Sequence, residues 1–210
     1  MKLYYAPGAC SLADHIVLEW IGEPYEAIAV DAKQRALPEY RAINPAGAVP
    51  VLVDGGWALT QNAAILTYLA DRSPAAGLMG DGSLRSRAEV MRWLAFCNAD
   101  IHPQYHAIFH GSPYLENAEA SGRAKAHARE VLAGLYARTD AALASHGWIA
   151  GATRSVADAY LYVVTRWAMS SAVEIGGLLH LLAFARRMEA DPAVARVLAE
   201  EGLKRSFGDG

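Results

Sequence analysis

The sequence predicts two domains in tandem: an α/β domain with the element order βαβαββα, then an all-helical bundle of five or more helices. Three observations lead there. Over the first 75 residues the hydrophobic pattern changes about every ten positions, whereas the remainder runs in long stretches with apolar residues at helical spacing. Between the two regimes lies a Gly/Pro/Ser-rich passage, Ser73-Pro74-Ala75-Ala76-Gly77 and Gly80-Asp81-Gly82-Ser83, which reads as an interdomain linker. Composition also leans to helix, since 42 of the 210 residues are alanine, the best intrinsic helix former. The first domain is therefore placed at residues 1–76 and the second at 84–210.

Each element has a local reason. Lys2 to Tyr5 reads as a short strand and Pro7-Gly8 as a turn. From Cys10 to Ile21 the apolar residues Leu12, Ala13, Ile16, Val17, Trp20 and Ile21 recur with a helical period, and Gly22 stands where a helix stops. Tyr25 to Val30 is a second strand. A β-α-β opening with so short a crossover implies parallel pairing and a right-handed connection. A brief helix follows around Pro38 to Ile43. Asn44-Pro45-Ala46-Gly47 then breaks the chain before the strand Val49 to Val53, and Asp54-Gly55-Gly56 turns it into the strand Trp57 to Leu59, an antiparallel hairpin. Thr60 is the expected cap of a helix from Gln61 to Asp71, with Ala64, Ile65, Tyr68 and Leu69 on its apolar face. Beyond the linker, helices are expected at Leu84 to His110, Asn117 to Ser145, Ser155 to Ser170, Leu178 to Ala190 and Pro192 to Glu201. Ser155-Val156-Ala157-Asp158 has the spacing of a capping box and is read as structural.

Composition narrows the function classes. With 53% hydrophobic and 20% charged residues and a net charge of -3, the chain can bury enough surface to fold, which excludes disorder over most of its length. No run approaches the roughly 20 apolar residues that cross a bilayer, and the first residues lack the apolar core of a signal peptide, so no membrane partner is expected. Two cysteines, Cys10 and Cys97, are too few for a disulfide framework and fit a reducing compartment; a cytoplasmic location is expected. Charges of both signs are scattered and no basic cluster is interleaved with aromatics, which argues against nucleic acid as a partner.

The chemistry concentrates in three places. Cys10 falls between a turn and the first turn of a helix, where unpaired N–H groups and the helix dipole would favour a thiolate. Ala13 occupies the second position of a would-be C-x-x-C pair, leaving a one-thiol mechanism. Cys97, mid-helix among Leu94, Phe96 and Ile101, is a packing residue. Pro50 opens a strand within the sheet domain, which a cis Val49–Pro50 bond would accommodate. In that geometry Val49 could offer its N–H and C=O to an extended peptide. Gln61-Asn62 sits at a helix N-terminus, which suits a carboxylate. His102, His106 and His110 lie four apart, but Pro103 perturbs the helix and no cysteine or carboxylate completes a coordination sphere, so no metal is expected.

Four segments resemble the bacterial glutathione transferases of the beta class: Met1–Leu12 (MKLYYAPGACSL), Asn44–Leu52 (NPAGAVPVL), Leu59–Asp71 (LTQNAAILTYLAD) and Ser155–Tyr160 (SVADAY). The resemblance implies a thioredoxin-like first domain that binds glutathione as co-substrate, a helical second domain that shapes a pocket for a small hydrophobic electrophile, and a homodimer. It further implies that Cys10 meets the glutathione sulfur and can form a mixed disulfide. Val49, beside Pro50, would pair with the cysteinyl backbone. Gln61 and Asn62 would hold the γ-glutamyl end, and Arg35, or failing it Lys33, the glycine carboxylate. His102 would face the sulfur, and Tyr105, Phe109 and Trp167 would line the electrophile pocket. Tyr5 and Ser11 are hydroxyls near the turn that other classes of the family use to activate the sulfur. The sequence departs from the pattern at Pro103, where the family usually has lysine, at Gln61, where it has an acid, at Asn62, where it has a smaller residue, and at Ala95, where it often has asparagine. Two functions compete: a glutathione transferase with Cys10-dependent thiol–disulfide exchange as a second activity, and a non-catalytic protein of the same fold that binds glutathione or hydrophobic ligands.

Overall fold

The computed structural model describes residues 1–111 and 117–208, and its first domain is a four-stranded sheet. Strand β1 (Lys2–Tyr5) leads through helix α1 (Leu12–Ile21) to β2 (Glu26–Ala29), parallel to β1 with Lys2 opposite Glu26. Two short helices follow, α2 (Ala32–Ala36) and α3 (Pro38–Ile43), then the hairpin β3 (Val51–Asp54) and β4 (Trp57–Thr60), and α4 (Asn62–Arg72). The sheet order is β2-β1-β3-β4, with β3 antiparallel to both neighbours. Leu3 and Leu52 turn inward to meet Ile16 of α1 and Ile65 and Leu69 of α4, while Tyr40 of α3 joins Val30 and Val51 in a smaller cluster.

Four details differ from the sequence reading. Helix α2 lies between Val30 and Pro38, where the sequence reading named no element; a capping box starts it, with Asp31 Oδ1 accepting from the Gln34 N–H at 2.8 Å and Gln34 Oε1 from the Asp31 N–H at 2.8 Å. Helix α1 begins at Leu12 rather than Cys10. Strand β3 begins only after Pro50, so the proline, whose bond to Val49 is cis, carries no ladder hydrogen bond. Thr60 does not cap α4: it pairs with Val51 in the hairpin, and Gln61 stands at the N-cap in the left-handed region at φ 75°.

The second domain is helical. After a 3-10 turn (Pro74–Ala76), α5 (Leu84–Ala95) starts at Ser83, whose Oγ accepts from the Ser86 N–H at 3.1 Å. The single helix expected from Leu84 to His110 is divided. A π-helical segment, Phe96–Ile101, separates α5 from α6 (His102–Phe109), and Pro103 sits in the first turn of α6, where its missing N–H costs least. Helices α7 (Ala118–His146), α8 (Val156–Ser170), α9 (Leu179–Ala190) and α10 (Pro192–Glu200) complete the bundle.

Helix α8 is its centre. Every residue from Val156 to Thr165 is buried, as befits a helix apolar on nearly all sides. The capping box is present: Asp158 Oδ2 accepts from the Ser155 N–H at 2.8 Å and from the Ser155 hydroxyl at 2.7 Å, and its Oδ1 accepts from the Ile149 N–H at 2.8 Å. Burial nevertheless pushes the Asp158 carboxyl up to about 6. Cys97 is fully buried, as a packing residue should be.

One continuous core joins the domains, because α1 packs on α8 and α10. A buried polar group lies within that junction. The Glu201 carboxylate, just beyond α10, contacts His15 Nδ1 of α1 at 2.9 Å and accepts from the Gly8 N–H at 2.9 Å.

Candidate active site

The loop carrying Cys10 is held on all sides. Behind it, the Gly8 N–H is fixed by Glu201, and in front the Gly8 carbonyl accepts from the Trp167 indole N–H at 2.9 Å. Ser11 is fully buried and its hydroxyl serves the loop itself, accepting from the Ala6 N–H at 3.2 Å and donating to the Ala6 carbonyl at 3.3 Å. Tyr5 also lies inside, its ring 5.1 Å from that of His15, so this turn presents neither hydroxyl to a ligand. Beneath the loop, the buried Asn62 amide faces two acceptors, the Cys10 carbonyl at 3.2 Å and Asp14 Oδ2 at 2.6 Å; its NH2 is turned to them. The Asn62 side chain thus braces the turn, while the residue also lines the cavity beside Cys10.

Cys10 is half-buried and its Sγ donates to the Val49 carbonyl at 3.7 Å. The thiolate expected from the sequence is not what this environment favours. Burial, and then the neighbouring Asp14 carboxyl, push the thiol up to about 12; the Ser11 and Cys10 backbone N–H groups pull the other way and are outweighed. Asp14 is itself buried, and that burial holds its carboxyl well above the usual range. Cys10 is therefore a protonated thiol, a hydrogen-bond donor at neutral pH.

Two cavities are lined by this thiol and a third adjoins them through His102. The first, about 170 Å³, is lined by Cys10, Val49, cis-Pro50, Gln61, Asn62, Asn98, His102 and Tyr160 among others. The second, about 500 Å³, is bounded by residues 6–10, Arg35, Val49, His102, Phe109, His110 and Trp167. The third, about 630 Å³, runs along Gln61, Asn98 and the exposed side of α6 from His102 to His110. His102 lines all three. Arg35 is half-buried at the second cavity, its Nε 3.4 Å from the Asp31 carbonyl, whereas Lys33 is exposed on α2. Gln61 is exposed and its left-handed backbone costs of the order of 1–3 kcal/mol, which the hairpin on one side and α4 on the other must offset.

His102 is tied by Nδ1 to the Tyr160 hydroxyl at 2.6 Å, and that hydroxyl donates to Asn98 Oδ1 at 3.3 Å. Burial lowers the imidazole below its usual range, so the ring is neutral at pH 7. One wall is aromatic: Trp167 meets His102 edge-on at 4.9 Å, Tyr105 at 5.2 Å and Phe109 at 5.8 Å, and Phe109 stacks on Tyr105 at 5.3 Å. Tyr105 is nearly all core, its hydroxyl bonded to Tyr136 at 2.7 Å and to the Val164 carbonyl at 3.1 Å. Among the described residues, no cluster of three His, Cys, Asp or Glu could hold a metal ion.

Sequence reasoning left out Asp14, Asn98 and Tyr160. Only Tyr160 had a signal, as the last residue of SVADAY; the other two matter through a brace and a π turn that no local pattern announces.

Comparison with known proteins bears on the family and the fold. The family models that match are the glutathione S-transferase N-terminal domain, over residues 13–77, and the glutathione S-transferase C-terminal domain, over residues 101–192. Glutathione S-transferase GST-4.5 of Xanthomonas campestris is 53% identical over 203 residues, covering 97% of this chain and 100% of that protein. A sphingomonad glutathione S-transferase solved in complex with glutathione superposes with a TM-score of 0.85 at 39% identity, covering 97% and 100% of the two chains. The beta-class glutathione S-transferase of Sphingomonas chungbukensis does so with a TM-score of 0.85 at 34% identity and the same coverage.

Proposed function

The chain belongs to the glutathione S-transferase family, and from that membership we propose that it is a beta-class member whose Cys10–Val49–His102 cavity takes the tripeptide thiol. It is an enzyme that joins the glutathione sulfur to hydrophobic electrophiles, with glutathione as co-substrate. The observation that carries the site reading is the juxtaposition of a thiol donor, a peptide edge, a helix N-terminus and a neutral imidazole around one cavity that opens onto an aromatic wall.

In this reading the cysteinyl moiety of glutathione pairs with the Val49 backbone. The γ-glutamyl carboxylate meets the free N–H groups at the start of α4, beside Gln61. Arg35 rather than Lys33 takes the glycine carboxylate, since of the two only Arg35 lines the second cavity, which shares Cys10, Val49 and His102 with the first. A thiol of ordinary pKa near 8.5 is mostly protonated at pH 7. Neutral His102 accepts that proton, and the Cys10 S–H, already a donor to Val49, donates to the resulting thiolate. The thiolate then attacks an electrophile lying against Phe109 and Trp167. The protein works as a homodimer in the cytoplasm, with residues 1–76 and 84–210 as its two domains.

Thiol–disulfide exchange is a second activity of the same site, favoured by the presence of Cys10 Sγ at the cavity wall. The Cys10 sulfur, giving up its proton, attacks the glutathionyl sulfur of a mixed disulfide, forming a Cys10–glutathione disulfide and releasing the other thiolate, which takes up a proton to leave as the thiol. A second glutathione thiolate then frees Cys10 and leaves as glutathione disulfide.

The test is retention on immobilised glutathione followed by turnover of glutathione with chlorodinitrobenzene. Elution by free glutathione and measurable conjugation are expected. Retention without turnover would instead favour the binding protein of the same fold, and no retention would remove the glutathione reading.

A further inference from the structure

The first turn of α6, the π segment before it and α8 meet at one polar chain that nothing in the conjugation chemistry requires by itself. Its members are His102 Nδ1, the Tyr160 hydroxyl 2.6 Å away, and Asn98 Oδ1 a further 3.3 Å on. Tyr160 is fully buried in α8, and its ring stands edge-on to the imidazole at a centroid distance of 6.0 Å and 87°. Asn98 and His102 are four residues apart, and both line the cavity with Cys10.

One proton assignment fills both contacts of the tyrosine hydroxyl: an amide oxygen only accepts, so the hydroxyl donates to Asn98, whereas donation to Nδ1 would leave the Asn98 oxygen without this partner. The tyrosine oxygen is then left as an acceptor toward His102, and Nδ1 must supply the hydrogen. In a neutral imidazole that leaves Nε2 unprotonated, carrying the lone pair. We propose that Tyr160 and Asn98 are positioning residues which select the Nδ1–H tautomer of His102, so that Nε2 is a ready acceptor for the glutathione thiol proton. This inference rests on the placement of glutathione given above. The opposite tautomer would turn an N–H toward the sulfur and could take no proton from it.

The proline that departs from the family pattern lies beside this arrangement. Pro103 stands in the first turn of α6, directly after the π segment that carries Asn98. Other titratable groups border the ring: Cys10 from the loop before α1, Arg35 across the second cavity, and Tyr105 and His106 from α6 itself. None of these is hydrogen-bonded to Nδ1, which belongs to Tyr160.

The experiment has a part that needs no substrate. Nitrogen-15 spectra of histidine-labelled protein should show His102 as the Nδ1–H tautomer in the wild type and as a tautomer mixture in Tyr160→Phe. A wild-type ring protonated at Nε2 would overturn the proposal even if the enzyme conjugates well, whereas a failure to conjugate with the tautomer as stated would count against the glutathione placement instead. In turnover, Tyr160→Phe should lower kcat about tenfold, with KM for glutathione within about twofold, because positioning of a base rather than binding is lost. Asn98→Leu should lose as much. Asn98→Asp, which also only accepts, should lose less than about threefold and should move the acid limb of the pH–rate profile upward, since a carboxylate favours the imidazolium. Equal damage from Asn98→Leu and Asn98→Asp would overturn the proposal, and that pair remains decisive if Tyr160→Phe fails to fold.

Discussion

The two walls of the candidate active site are built differently. On the first-domain side, apart from the Arg35 side chain, the cavity-facing groups are backbone or are braced by buried polar side chains: Val49 beside a cis-proline, the Cys10 turn over Asn62 and Asp14, and Gly8 between Glu201 and Trp167. On the second-domain side they are side chains, most of them on α6 with Trp167 of α8 behind, and Phe109 is 47% exposed with His106 and His110 exposed beside it. A wall of backbone suits a substrate that never changes, because N–H and C=O groups recur whatever the side chains. A wall of exposed aromatic rims suits electrophiles that vary. Mutations should therefore divide by wall, with first-domain changes acting on glutathione and α6 changes acting on the second substrate.

Glu201→Ala is the strongest way to break this division. The carboxylate is fully buried and satisfies both the Gly8 N–H and His15 Nδ1; His15 Nε2 is 3.3 Å from Glu200 but not aligned as a hydrogen bond. Removing it strands two buried polar groups, at about 3 kcal/mol or more. Denaturant midpoints should fall accordingly, and KM for glutathione should rise more than KM for the electrophile. Equal rises would mean that the Cys10 loop is not anchored separately from α6.

The sequence carried most of the frame. Strand and helix periods in Lys2–Tyr5, Leu12–Ile21 and the hairpin are short-range properties of neighbouring residues, and so is the Ser155–Asp158 cap, so they could be read directly. What could not be read depends on contacts distant in sequence. The state of Cys10 is decided by burial under Val49 and by Asp14 rather than by the helix start. Tyr5 and Ser11 look like candidate hydroxyls until the fold turns them inward. Pro103 looks like a helix breaker until a π turn absorbs it.

Cys10→Ala sharpens the comparison within the first wall. The exchange activity requires the sulfur as nucleophile and should fall at least 100-fold, whereas conjugation loses one hydrogen-bond donor and should fall less than about tenfold. The pH dependence follows from a thiol at about 12. Below that value the thiolate fraction grows tenfold per pH unit, so exchange by the wild type should climb nearly tenfold per unit between pH 7 and 9. Conjugation, with a neutral base lowered below its usual range, should weaken only on the acid side, below about pH 6.5. Parallel pH profiles for the two activities would show that they share a rate-setting group.

Phe109→Ala should give the smallest effect and the most selective one. The ring stacks on Tyr105 at 19° between planes and meets Trp167 edge-on at 83°, yet nearly half of it faces solvent, so the folded protein gains little from it. Stability should change by less than about 1 kcal/mol, because an aromatic pair of this kind contributes about 0.5–1.5 kcal/mol and partial exposure reduces it. A flat electrophile laid against Phe109 would bury the exposed half, and losing that contact should raise its KM about fivefold while KM for glutathione stays within twofold. Initial rates with aromatic electrophiles of increasing size provide the measurement, and the ratio of mutant to wild-type KM should grow with ring area. A flat ratio, or an equal shift in KM for glutathione, would mean that α6 does not form the electrophile wall and that the exposed rim of Phe109 serves the fold instead.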